Sequence, residues 1–115
     1  MLKDGYSLLL PEGFTDYFDI LIVDEKEREI IIFLEEKLVL KEQQDRSDHL
    51  ESKGFYPAVL VQDFPLRGKP LLLNIRRRRW IDKQTGEYVK RKIHITADGT
   101  RLTQEFASFL KGLHR

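Results

Sequence analysis

The sequence predicts an α+β domain, with antiparallel strands between Phe18 and Ile95, short helical turns before them and an amphipathic helix after them. Three observations carry this expectation. Aliphatic and β-branched residues gather in runs of strand length at residues 18–24, 30–34, 58–64 and 70–80. Turn-forming residues separate these runs, most clearly Pro65-Leu66-Arg67-Gly68 and Asp82-Lys83-Gln84-Thr85-Gly86. At the C-terminus Leu102, Phe106, Phe109, Leu110 and Leu113 fall at offsets of four, seven, eight and eleven residues, which is the one-sided stripe of a helix.

Taken in order, residues 7–17 place Leu8, Leu9, Leu10, Phe14 and Tyr17 at mixed helical spacing around Pro11 and Gly13, so short helical turns are expected. Residues 18–24 (FDILIVD) and the run from Ile30 to Leu40, joined by a charged turn at residues 25–29, read as an antiparallel hairpin. Both strands are apolar on both faces for part of their length, which calls for cover by another element. Residues 41–54 carry one large apolar residue and no period, so an exposed loop or frayed helical excursion is expected. Pro70 opens a long strand through Trp80, since a Pro is tolerated where no ladder donor is needed. Its hairpin partner is residues 87–95. Thr100 or Thr103 then caps the terminal helix.

The chain has 115 residues, the common size of one domain, with 41% hydrophobic residues to form a core. Charged residues make up 34%, well above the usual quarter or so, and the surface must be heavily ionised. There is no cysteine, which excludes disulfides, thiolate zinc sites, iron–sulfur clusters and a cysteine nucleophile, and fits a reducing cytoplasm. The apolar run Leu8 to Leu10 is too short for a signal-peptide core or a membrane span.

The net charge of +1 conceals a division of the chain. Residues 1–53 hold 7 Lys/Arg against 14 Asp/Glu, net −7, whereas residues 54–115 hold 13 against 5, net +8. Within one domain this polarity points to a polyanion-binding surface on one side and an acidic scaffold on the other. Two complementary faces packed together would also produce it.

The densest cationic segment is Arg76-Arg77-Arg78-Arg79, closing the run Leu71-Leu72-Leu73-Asn74-Ile75 and followed by Trp80. Strand alternation puts Leu71, Leu73, Ile75, Arg77 and Arg79 on one face, and Asn74, Arg76, Arg78 and Trp80 on the other. Unpaired guanidinium groups are costly to bury, so this end should project from the core. Arg67 and Lys69 before it, and Lys90, Arg91 and Lys92 in the facing strand, are expected to extend the same patch into a basic β-ribbon suited to double-stranded DNA. The opposing reading is cross-strand pairing with carboxylates, of which Asp82 and Glu87 are the only ones close in sequence. Trp80 could stack on a base, but a strand-ending Trp reads better as a core lid with its N–H near water.

No catalytic set stands out. Asp45, Asp48, His49 and Glu51 suggest a metal cluster but lie in a polar loop with nothing to orient them. His94 and His114 are scattered, and Ser7, Ser47, Ser52 and Ser108 show no nucleophile elbow. No cofactor is implied.

The stretch Asp63-Phe64-Pro65-Leu66-Arg67-Gly68-Lys69-Pro70-Leu71, with the arginine run and an aromatic after it, resembles the zinc-ribbon N-terminal region of bacterial insertion-sequence transposases. Leu8-Leu9-Leu10-Pro11-Glu12-Gly13 and Asp16-Tyr17-Phe18 also look like the start of such a region encoded apart from its catalytic part. The resemblance implies a zinc-ribbon-like sheet and recognition of transposon ends, with strand cutting left to a separate acidic-triad subunit and its divalent metal. The relatives carry paired cysteines around the ribbon. Here residues 41–54 and the turn at residues 82–87 stand in those places, so the fold must be held by its core without metal. The function expected is therefore non-catalytic DNA binding, and the alternative is an interaction module that docks the catalytic subunit or a second copy.

Overall fold

The computed structural model describes residues 4–38, 49–93 and 100–113. A 3-10 helix, Asp4–Leu9, and one helical turn, α1 (Phe14–Tyr17), open the chain as the spacing of its apolar residues predicts. Between them Gly13 takes φ 86°, a left-handed value that other residues rarely adopt, and Leu10 and Phe14 on either side of it are both buried.

β1 (Phe18–Glu25) and β2 (Ile30–Glu36) form the expected antiparallel hairpin, with a bulge between Ile20 and Ile22. β2 alternates strictly. Ile30, Ile32 and Leu34 enter the core, and the same period carries Glu36 inside after them. Next come β3 (Leu50–Phe55), β4 (Val59–Leu66), β5 (Lys69–Arg76), β6 (Arg78–Asp82), β7 (Tyr88–Val89) and α2 (Gln104–Leu113).

The protein is mostly β, with two sheets and a C-terminal helix. The first sheet has the order β1-β2-β5-β4 and the second β3-β6-β7. The expectation of purely antiparallel pairing is corrected here, because β2 and β5 run parallel, from Ile30↔Leu71 to Glu35↔Arg76. A parallel neighbour requires a long crossover. The chain makes one by passing through β3, in the other sheet, and returning by the β4–β5 hairpin. That hairpin turns on Arg67 at φ 51° and Gly68 at φ 78°, the two positive values of a two-residue type I′ turn.

Other expectations are corrected as well. The long strand from Pro70 to Trp80 is two strands, since the ladder breaks at Arg77 and the chain changes sheets there. The break also shifts the alternation, so Trp80 is buried and Arg79 exposed, against their assigned faces. Residues 50–54, read as loop, begin β3, and residues 41–48 lie outside the described residues. The partner strand expected over residues 87–95 shrinks to Tyr88–Val89, with residues 94 and 95 not described.

The core joins Phe18, Val23, Ile30, Ile32, Leu34, Val61, Leu71, Leu73 and Ile75 of the first sheet with Leu10 and Phe14 of the N-terminal turns. α2 is anchored by its beginning. Gln62 N–H donates to the Arg101 carbonyl (2.8 Å) and Thr103 N–H to the Gln62 carbonyl (2.9 Å), so residues 101–103 cover the outer edge of β4. The Thr103 hydroxyl donates to Asp63 Oδ1 (2.8 Å) and accepts from Phe106 N–H (3.3 Å), which makes it the helix cap. Phe106 and Ala107 are buried, but Phe109 and Leu113 remain 50% and 64% exposed, so the predicted stripe is interior only in its first part.

Candidate nucleic-acid interface

The arginine run straddles the joint between the sheets, and its members separate there. Through Leu71, Leu73 and Ile75 the alternation of β5 aims one position further inward, at Arg77. The parallel pairing of Glu35 with Arg76 brings Glu36 beside that position. Arg77 Nε–H donates to Glu36 Oε1 at 2.8 Å, and Arg77 Nη2 donates to the Arg91 carbonyl. Glu36 also accepts from the Arg78 backbone N–H at Oε1 (3.1 Å) and from Trp80 Nε1–H at Oε2 (2.7 Å). A fully buried carboxylate is thus satisfied by three donors on the chain entering the second sheet.

Arg91 completes the cluster from the far side of β7. Its guanidinium lies 3.7 Å from the Trp80 ring centroid and 3.7 Å from Glu36 Oε2, and it donates to the carbonyls of Lys37 (3.0 Å) and Leu38 (2.9 Å). Burial pulls its pKa below the ordinary arginine value and the Glu36 charge opposes that shift. Trp80 is a lid, as expected, but its N–H faces a carboxylate and not water. Arg78 is half committed. Its Nε donates to the Glu36 carbonyl (2.8 Å), its Nη1 to Ser52 Oγ (3.1 Å), and Glu35 lies 3.7 Å from its Nη2.

The remaining cations of this end reach the surface on aromatic rings. Arg76 lies 4.0 Å from the centroid of Phe55, Arg79 4.7 Å from Tyr88 and Lys90 4.7 Å from Tyr56. Pairing of Trp80 with Val89 and of Ile81 with Tyr88 puts Arg79, Tyr88 and Lys90 on the face of the second sheet away from Trp80. Phe55 pairs with Arg78 and so shares the Trp80 face, whereas Tyr56, the next residue, carries the Lys90 stack. Arg76, Arg79 and Lys90 form no ion pair among the described residues.

The single patch of nine cations expected from the sequence is therefore divided. Arg77 and Arg91 are interior ties and Arg78 is partly one. Arg67 and Lys69 sit at the other end of β5, about 23 Å from Arg76 at roughly 3.3 Å per residue, and Lys69 Nζ donates to the Lys26 carbonyl (3.0 Å). Lys92 is exposed, at the rim of a cavity of about 480 Å³ that His49, Asp82 and Val89 also line. The sequence reading missed Glu36, Phe55, Tyr56 and Tyr88. For Glu36 a signal existed, its place in the inward period of Ile30, Ile32 and Leu34.

No group of three or more His, Cys, Asp or Glu that could hold a metal occurs among the described residues; Asp45 and Asp48 lie outside them. Among the same residues no helix is long and apolar enough to cross a membrane. No family model, curated protein or solved structure matches the chain.

Proposed function

We propose that this chain is a non-catalytic DNA-binding module of an insertion-sequence transposase, holding duplex DNA at a transposon end while a separate subunit cuts it. The observation that carries the reading is the group Arg76, Arg79 and Lys90, three cations with no carboxylate partner among the described residues, each laid against an aromatic ring. A stacked guanidinium loses little further freedom on meeting a phosphate, and each phosphate it neutralises releases condensed counterions. The acidic β1–β2 hairpin faces DNA poorly and serves as scaffold. On this reading the β3-β6-β7 sheet stands where related transposases have a zinc ribbon, and the cluster of Glu36, Arg77, Trp80 and Arg91 makes the cross-link that their metal makes.

Fluorescence anisotropy with a labelled duplex at several salt concentrations tests this. Wild type should bind at low salt, and Arg76→Ala/Arg79→Ala/Lys90→Ala should lose about tenfold or more in affinity. No binding by wild type, or equal binding by the triple variant, overturns the reading.

A second reading, an interaction module for the catalytic subunit or a second copy, is favoured by the exposed Phe109 and Leu113 on α2. Phe109→Ser/Leu113→Ser would then abolish complex formation in light scattering and leave DNA binding intact.

A further inference from the structure

Reading bases in the major groove, about 12 Å wide, requires a slim element, either a helix or a two-stranded ribbon. β6 and β7 are no free ribbon. β3 flanks β6 along its length, from Leu50↔Asp82 to Phe55↔Arg78, so β6 is the central strand of three. With strands about 4.8 Å apart, the axes of the outer strands lie about 9.6 Å apart. Adding their own backbones and side chains makes the sheet wider than the groove. β7 contributes only the pairs Trp80↔Val89 and Ile81↔Tyr88, too little to project beyond that sheet.

The long donors are also bound internally. Arg77 is held by Glu36 and the Arg91 carbonyl, Arg78 by Ser52 and the Glu36 carbonyl, and Arg91 by the carbonyls of Lys37 and Leu38. Of the cations left over, Arg76, Arg79 and Lys90 lie over the rings of Phe55, Tyr88 and Tyr56. A side chain lying on a ring cannot also extend to the floor of a groove about 8.5 Å deep. The in-plane N–H donors of a stacked arginine and the ammonium of a stacked lysine still reach phosphate oxygens at the surface of a duplex.

Resting on the DNA-binding reading above, we infer that this module grips the sugar–phosphate backbone through Arg76, Arg79 and Lys90 without discriminating base sequence, so that choice of the transposon end belongs to another part of the assembly. A module that reads bases binds its own site about a thousandfold or more tighter than other DNA. Backbone contacts carry no such preference.

The test is selection by the full chain from a pool of short duplexes randomised at their central positions, followed by sequencing and by anisotropy on individual members. The expected result is no enriched motif, affinities that agree within about twofold, and a log–log salt slope near −2.7, from three phosphates at about 0.9 each. The Arg76→Ala/Arg79→Ala/Lys90→Ala variant should bring that slope close to zero. Enrichment of one motif by tenfold or more overturns backbone-only recognition and leaves the DNA-binding reading standing. Failure of the whole pool to bind at low salt overturns both.

Discussion

The Glu36 carboxylate and the Arg77 guanidinium meet at 2.8 Å in the interior, although 41 positions separate them in the chain. Glu36 is fully buried and Arg77 is 8% exposed. The pair joins the last inward position of β2 to the residue at which the chain passes from one sheet to the other, so it binds the two sheets together. Arginine suits this place, because its fork serves Glu36 and the Arg91 carbonyl together.

Glu36→Ala should cost about 3–5 kcal/mol, since it leaves Arg77 and Arg91 buried without their counter-charge and Trp80 without an acceptor. Urea unfolding would show this as a lower midpoint with an unchanged slope. A loss under about 1 kcal/mol would mean that the cluster is not a cross-link.

Arg77→Ala and Arg79→Ala should separate cleanly, though the residues are two apart. Removing Arg77 strands a buried carboxylate and should cost about 3–5 kcal/mol. Arg79 is exposed and stacks on Tyr88 without an ion pair among the described residues, so its removal should change stability by about 0.5 kcal/mol or less. Thermal unfolding of the two variants side by side decides the matter.

Burial pushes the Asp63 carboxyl above the usual range; the Thr103 hydroxyl and Phe64 N–H pull it down, and Glu105 adds a smaller upward push. A carboxyl raised in the folded state binds its proton more tightly there than in the unfolded chain. Its stabilising contribution is therefore complete below the unfolded value, about 4, and is lost as pH rises through the folded one. Asp63→Asn keeps the acceptor for Thr103 and removes this dependence. Relative to wild type, the variant should gain stability as pH rises from about 4, measured by denaturation across a pH series. A constant difference would contradict the assignment.

Thr103→Val should cost about 1–3 kcal/mol, because one hydroxyl both caps α2 and satisfies Asp63. Phe106→Ala should cost about 3–5 kcal/mol, its ring being buried 5.1 Å from Phe64. Phe109→Ala should cost roughly 1 kcal/mol or less, as that ring is half exposed. Equal losses for Phe106 and Phe109 in calorimetry would show the helix docked along its whole length.

Much of the fold was legible in the sequence, because turn chemistry and alternation are local. Gly13, Gly68 and Gly86 take the positive φ values that their neighbours require, at 86°, 78° and 75°, and the β1–β2 and β4–β5 hairpins form around their turns. Thr103, one of the two caps that the sequence offered beside Thr100, is the one that closes the helix end. β3 was not legible, since Leu50–Phe55 has one aliphatic residue at its start and gains its place from pairing with β6.

By itself, then, the sequence determined where the hairpins turn and that a cationic end follows an acidic half. Only the tertiary structure decided which of those cations face solvent. That choice rests on the parallel register of β2 with β5, a contact between distant segments that no local pattern encodes. The period of β2 carries Glu36 inside, the register sets it beside Arg77, and the buried carboxylate takes Arg77, Arg91 and Trp80 from segments that otherwise read as one exposed ribbon. Arg76, Arg79 and Lys90 form no ion pair among the described residues, Glu35 opposite Arg76 turning instead to Arg78, and the rings of Phe55, Tyr88 and Tyr56 order them.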